Sequence, residues 1–130
     1  MFDLKKAMAS AASGMSSQSF RLRIVGENIA NADTAGFQRK TVSFVNEIDR
    51  ARGTTRVRPG DVVLDESDPI ETYEPGHPLA DARGIVAMSN VNTLIEIADA
   101  REAQRSYQAN LSVFDQARQM RGGLLDLLRR

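Results

Sequence analysis

Leu4, Met8, Ala11, Met15, Gln18, Leu22, Val25 and Ile29 recur at alternating spacings of four and three residues. That is the repeat of a coiled-coil seam, with Gln18 its one polar member. It predicts a helix over 3–31, about 43 Å long, with Asp3 as the N-cap. A second stripe, Ala100, Ala103, Tyr107, Leu111, Phe114, Ala117, Leu124 and Leu128, predicts a helix over 90–128, about 58 Å long. Asn90 is its expected cap, and Thr93 with Glu96 fits a capping box. Helical patterns much longer than about 25 residues belong to coiled coils, membrane spans or repeats. No fixed-period repeat is visible and apolarity is too low for a span, so the pattern favours a coiled coil. Gly14 weakens the first helix by about 1 kcal/mol, and Gly122-Gly123 is expected to kink or loosen the second.

Between the stripes the pattern changes period. All four prolines, Pro59, Pro69, Pro75 and Pro78, lie here. Short alternating or β-branched runs occupy Thr41–Val45, Thr54–Val57, Val62–Leu64, Ile70–Tyr73 and Ile85–Met88. Turn chemistry separates them at Arg58-Pro-Gly-Asp61, Asp68-Pro69, Glu74-Pro-Gly-His-Pro78 and Asp81-Ala-Arg-Gly84. The fold class expected is mainly α. Long N- and C-terminal helices (1–31 and 90–130) pair as a coiled coil, and a small β-hairpin and extended-loop region (32–89) completes a single domain. The middle is too small to be stable alone.

Composition sharpens this. Apolar residues make up 42% of the chain, but aromatics only 5%, with no tryptophan, and much of the rest is alanine. Alanine buries little surface, so a self-contained core would be thin, whereas close helix–helix contact suits it. The 17 basic and 17 acidic residues cancel overall. Residues 1–40 hold six basic and three acidic groups, 41–90 hold five and nine, and 91–130 hold six and five. No concentrated basic face suggests a nucleic-acid partner. No apolar run reaches the roughly 18 residues of a membrane span. Lys5-Lys6 followed by Ala7–Gly14 imitates a signal peptide, but serines and a glycine interrupt it, so no cleaved signal is expected.

Candidate chemistry is sparse. Cysteine is absent, which removes disulfides and thiolate metal sites. His77 is the sole histidine and sits in a turn, so no metal or cofactor is expected. No nucleophile elbow or phosphate-binding glycine loop occurs, and an enzyme is not expected. The segment Asn28-Ile-Ala-Asn-Ala-Asp-Thr-Ala-Gly-Phe37 reads by chemistry first as a helix stop: Asn and Asp cap backbone groups, and Gly36 accepts positive φ. A ligand-binding loop is the alternative. In Arg101–Asn110, the side chains Gln104, Arg105, Gln108 and Asn110 form either a solvated face or bonds to neighbouring chains; both readings stay open. Tyr107 is expected to pack through its ring.

The run Ser13-Gly-Met-Ser-Ser-Gln-Ser-Phe-Arg-Leu22, followed by Asn28–Lys40, resembles the N-terminal signature of bacterial flagellar axial proteins, the rod, hook and hook-associated subunits. Asn90–Asn110 resembles their C-terminal signature. Tyr73–Gly84 resembles the middle of proximal rod subunits. Asp33–Arg39 is short and closer to the generic axial motif, so two proximal rod types stay open. The resemblance implies a non-enzymatic subunit of the basal-body rod that transmits torque for motility. It implies export through the flagellar type III apparatus into the periplasm without a cleaved signal. Its implied partners are other rod subunits, copies of itself, and ring or adaptor proteins of the basal body, with no membrane span of its own. Met8, Ala11, Met15, Leu22, Val25, Ile29, Tyr107, Leu111 and Phe114 would pack helices within and between subunits. Asn28, Asn31, Gly36 and Phe37 would fix how the first helix meets the middle. A helical-hairpin adaptor or export chaperone is the rival from another class.

Overall fold

The computed structural model describes residues 2–130. Helix α1 spans Phe2–Ala30 and helix α2 spans Thr93–Arg129. Four strands lie between them: β1 Lys40–Asp49, β2 Thr54–Leu64, β3 Glu71–Tyr73 and β4 Ile85–Ala87. Roughly half the chain is helical.

The helices run antiparallel, with Asn28 opposite Glu96, Arg21 opposite Asp99 and Glu102, and Gly14 opposite Asn110. Small side chains allow the approach. A Cβ on Gly14 would lie 2.7 Å from Asn110 Nδ2. Buried positions on α1 are Ala11, Ser17, Ile24, Val25 and Asn28, and on α2 Glu96, Ala103 and Ala117. The packed faces coincide with the expected apolar stripes only in part: on α2 the buried Ala103 and Ala117 belong to the expected stripe, whereas Tyr107, Leu111, Leu124 and Leu128 are exposed. On α1, Ala11 and Val25 are buried as expected, Met8, Met15 and Leu22 are half-buried, and Ile29 is 37% exposed. On α2, the inward row is polar or small, with Glu96 meeting Asn28 and Asn110 meeting Gly14.

The cap of α2 is Asn92, whose Oδ1 accepts from Leu94 N at 3.1 Å. Asn90 is engaged elsewhere, and Glu96 is turned into the helix interface instead of closing a capping box with Thr93. Asp3 lies inside the first turn of α1, where a carboxylate still complements the helix dipole. The helix α2 continues unbroken through Gly122-Gly123.

β1 and β2 form one long antiparallel hairpin lying along α1. The expected turn at Arg58–Asp61 is instead part of β2, at an irregularity where the register shifts between Val42 and Phe44. Proline and glycine suit such a bulge, which needs neither a ladder donor nor a side chain at close approach. The actual turn follows Asp49, whose Oδ1 accepts from Ala51 N and Arg52 N, and it closes at Gly53 with φ +65°. Ser17 Oγ donates to Val57 O at 3.0 Å, and Val57 N donates to Ser13 Oγ at 3.1 Å. Two serines one helical turn apart thus cover the main chain of Val57 on β2, which an open sheet edge would leave unpaired. β3 pairs with β4, and Met88 N and Ile70 O extend that ribbon by one rung. Val86, Ser89 and Val91 form a small buried cluster where this ribbon meets the start of α2.

Candidate functional site

The motif after the first stripe combines two devices. One stops α1. Asn31 Nδ2 donates to Glu27 O at 2.9 Å, Thr34 N donates to Asn31 O, and Gly36 takes φ +77°. Gly36 N then donates to Ala87 O, tying the stop to β4, while Phe37 is half-buried beyond it. Ser89 Oγ also donates to Ala32 O.

The other device is Asn28, 1% exposed and one turn before the stop. Its Oδ1 accepts from Lys40 N at 2.9 Å, and its Nδ2 donates to Lys40 O at 2.8 Å and Glu96 Oε2 at 3.2 Å. An amide has two donors and a carbonyl acceptor, and all three functions are engaged here. Asn28 therefore anchors the first residue of β1 as another strand would, and reaches across to α2.

Glu96 is a fully buried carboxylate. Arg39 Nε donates to its other oxygen, Arg39 Nη2 donates to Asp99 Oδ2 at 3.2 Å, and Arg39 Nη1 stands 3.7 Å from Asp65 Oδ2. Burial alone would lower the pKa of Arg39, but Glu96, Asp99 and Asp65 outweigh it and hold the guanidinium above its ordinary value. Arg21 Nη2 donates to Asp99 Oδ1 at 3.3 Å, continuing the network one turn along. Arg39 N donates to Asn90 Oδ1, and Asn90 Nδ2 donates to Asp65 O and Ser67 O. Asp65 is held below the usual carboxylate range first by the Ser67 amide and hydroxyl, then by Arg39. Lys40 Nζ donates to Glu27 Oε2 at 2.9 Å and lowers the pKa of Glu27. A cavity of about 210 Å³ lies among Arg21, Val25, Arg39, Phe44, Glu96 and Asp99.

Every cation here already faces carboxylates, so the arrangement is a lock rather than a receptor for charge. It fastens α1, β1, the segment after β2, and α2 at one point. Among the described residues no three His, Asp or Glu groups are placed to hold a metal ion. His77 Nδ1 accepts from Leu79 N inside its own turn.

The expected C-terminal residues fall on several faces. Gln104, Arg105 and Gln108 are exposed, as are Tyr107 at 36% and Leu111 at 40%, while Phe114 and Asn110 are half-buried. Gln104, Tyr107 and Gln108 share an open groove of about 390 Å³ with Ser19 and Leu22 of α1. Asn110 Nδ2 donates to Ser106 O of its own helix. Sequence reasoning passed over Arg39, Asp99 and Arg21, and gave Glu96 only a capping-box role. The available signal was a lone carboxylate inside the apolar run Leu94-Ile-Glu-Ile97, with an arginine just beyond the motif.

Comparisons with known proteins bear on the same segments. A model described as "Flagella basal body rod protein" matches residues 8–38. One described as "Flagellar basal body rod FlgEFG protein C-terminal" matches residues 82–127. A flagellar basal-body rod protein FlgC of Agrobacterium fabrum is 48% identical over 136 aligned positions, covering 99% of this chain and 98% of that protein. The chain belongs to the FlgC family of flagellar basal-body rod proteins. FlgC of Salmonella typhimurium is 37% identical over 85% of this chain and 87% of its own. FlgC of Aquifex aeolicus is 31% identical over 88% and 89%. Of the two proximal rod types that the sequence left open, these relatives select the FlgC type. The family is structural, not enzymatic, and the adaptor reading is not favoured. The N-terminal match spans the Gly14 contact and the Asn28 anchor, and the C-terminal match spans Glu96 and Asn110. No described helix is long and apolar enough to cross a membrane.

Proposed function

We propose that the rod subunit works in the proximal, torque-transmitting part of the rod, in the periplasm, reached through the flagellar export apparatus. Its N- and C-terminal helices pair as a coiled coil and pack against neighbouring copies and other rod subunits, with basal-body ring or adaptor proteins among its partners. One observation carries this reading: the lone chain buries too little. Its accessible surface is 9006 Å² for a mass of 14.3 kDa, against about 6,800 Å² for a compact monomer of that mass. Much of the uncovered surface is apolar. Val113, Met120 and Leu127 are 49%, 60% and 66% exposed and follow one another at seven-residue spacing. A heptad row facing away from the helix's own partner fits a second helix from another chain. Leu22, Gln104, Tyr107 and Gln108, along the edge of the α1–α2 groove, would take part in the same packing. So would the half-buried Met8 and Met15.

The test places Val113→Asp and Met120→Asp in a tagged chain. The expected result is loss of the tag from purified basal bodies and loss of swimming, with the helix content of the isolated monomer unchanged. Normal retention and swimming with both substitutions would refute the assignment of that face.

A further inference from the structure

The two ends of the molecule complement each other in charge and shape. The turn of the β1–β2 hairpin lies beside the start of α1, where a Cβ on Gly53 would sit 3.0 Å from Lys6 Nζ. Residues 46–58 carry four arginines and two carboxylates. Asp49 is matched by Arg52 and Glu47 by Arg58, so Arg50 and Arg56 are left exposed without an ion pair among the described residues. On β1, beside the turn, Ile48 is 65% exposed.

The other end has the opposite character. Residues 65–82 contain six carboxylates and no lysine or arginine. Asp65 faces Arg39 and Asp81 faces Arg83, but Glu66, Asp68, Glu71 and Glu74 make no ion pair among the described residues. Here an open groove of about 670 Å³ is bordered by Asp33, Glu74 and His77, with Ile70 and Leu94 on its rim. Ile70 is 52% and Leu94 76% exposed. Exposed apolar groups beside unmatched charge of one sign mark a docking surface, and the matching sign with its own apolar knob stands on the same chain.

We propose that the hairpin turn of one copy docks in the acidic groove of a second copy, placing Ile48 between Ile70 and Leu94 and setting Arg50, at the turn, against Asp33 and Glu74. The contact cannot close within one molecule. The bonds from Ser13 and Ser17 to Val57 fasten the hairpin to α1, and the groove lies near the far end of that helix, about 33 Å away at 1.5 Å per residue. Two different patches meeting head to tail make a heterologous contact that propagates as a ring or an open helical filament. The inference rests on the rod-subunit reading and names one of its partners and surfaces.

The chain lacks cysteine, so full-length Ile48→Cys and Leu94→Cys variants can be mixed and oxidised. The expected product is a disulfide-linked heterodimer at low ionic strength that declines as salt is raised. Arg50→Glu on the first chain should cut the yield about tenfold, and Asp33→Lys with Glu74→Lys on the second should restore it, whereas Arg56→Glu, on the face shared with Glu47, should leave it unchanged. Thr55→Cys, across the hairpin from Ile48, provides a second reporter should Ile48→Cys perturb the strand. The proposal is overturned by absence of the heterodimer from both reporters, by equal yield when Leu128→Cys replaces Leu94→Cys, or by indifference to charge reversal at Arg50. Retention of the unmodified chain in basal bodies, measured separately, shows whether only this contact has failed or the rod-subunit reading with it.

Discussion

Arg39→Gln tests the lock directly. The substitution takes from Glu96, which is 0% exposed, its charged partner and leaves Asn28 Nδ2 at 3.2 Å as the remaining donor. A buried carboxylate stripped of its counter-ion costs about 3–5 kcal/mol. The same substitution loses the pairings with Asp99 and Asp65, both 30% exposed and worth less than about 1 kcal/mol each. Against a total stability of about 5–15 kcal/mol, the variant should unfold at much lower urea concentration with an unchanged slope. Far-ultraviolet circular dichroism along a urea titration measures this. Glu96→Gln in the Arg39→Gln background removes the buried charge, and should recover all but about 1 kcal/mol of the loss. A double-mutant cycle with no coupling between positions 39 and 96, or an Arg39→Gln variant within about 1 kcal/mol of the parent, would refute the lock.

Gly14→Ala gains about 1 kcal/mol of helix propensity but drives a methyl into Asn110, costing about 1–3 kcal/mol. It should lower the melting temperature alone and raise it once Asn110→Ser makes room; a stabilising single substitution would contradict the close helix approach. The carboxyl pKa of Asp81 is held down chiefly by the Ile85 amide, that of Asp65 by Ser67 and that of Glu27 by Lys40. A folded pKa below the unfolded one contributes stability above the ordinary carboxylate range that is lost as pH falls through the folded value. The chain should therefore weaken from about pH 5 downwards, and Asp81→Asn should flatten that acid limb in urea titrations at successive pH values; an unchanged limb would argue against the Asp81 turn as a contributor.

The helix stop within Asn28–Phe37 was legible because its causes are local: an asparagine bonding back one turn, and a glycine at positive φ. The second role of Asn28 was not legible. It depends on Lys40 and Glu96, which are distant in sequence and meet it only once β1 turns back along α1 and α2 returns antiparallel. The hairpin shows the same division. Its β-branched runs announced strands, but Pro59-Gly60 served as a bulge rather than a turn, because Asp49 and Gly53 supplied a better one.

Periodicity by itself determined that the chain has two long terminal helices, and composition that any core would be thin. Only the tertiary structure decided which face of each helix lies inside. A hydrophobic stripe is driven out of water but carries no mark of the chain that will cover it. Here the helix contact combines small and apolar groups, Ala11, Gly14, Ile24, Val25, Ala103 and Ala117, with Arg21, Asn28 and Glu96, whose hydrogen bonds and ion pairs need specific partners at fixed distances. Much of the apolar surface that the sequence displayed most clearly, such as the row Val113, Met120 and Leu127, is left uncovered by the chain's own fold.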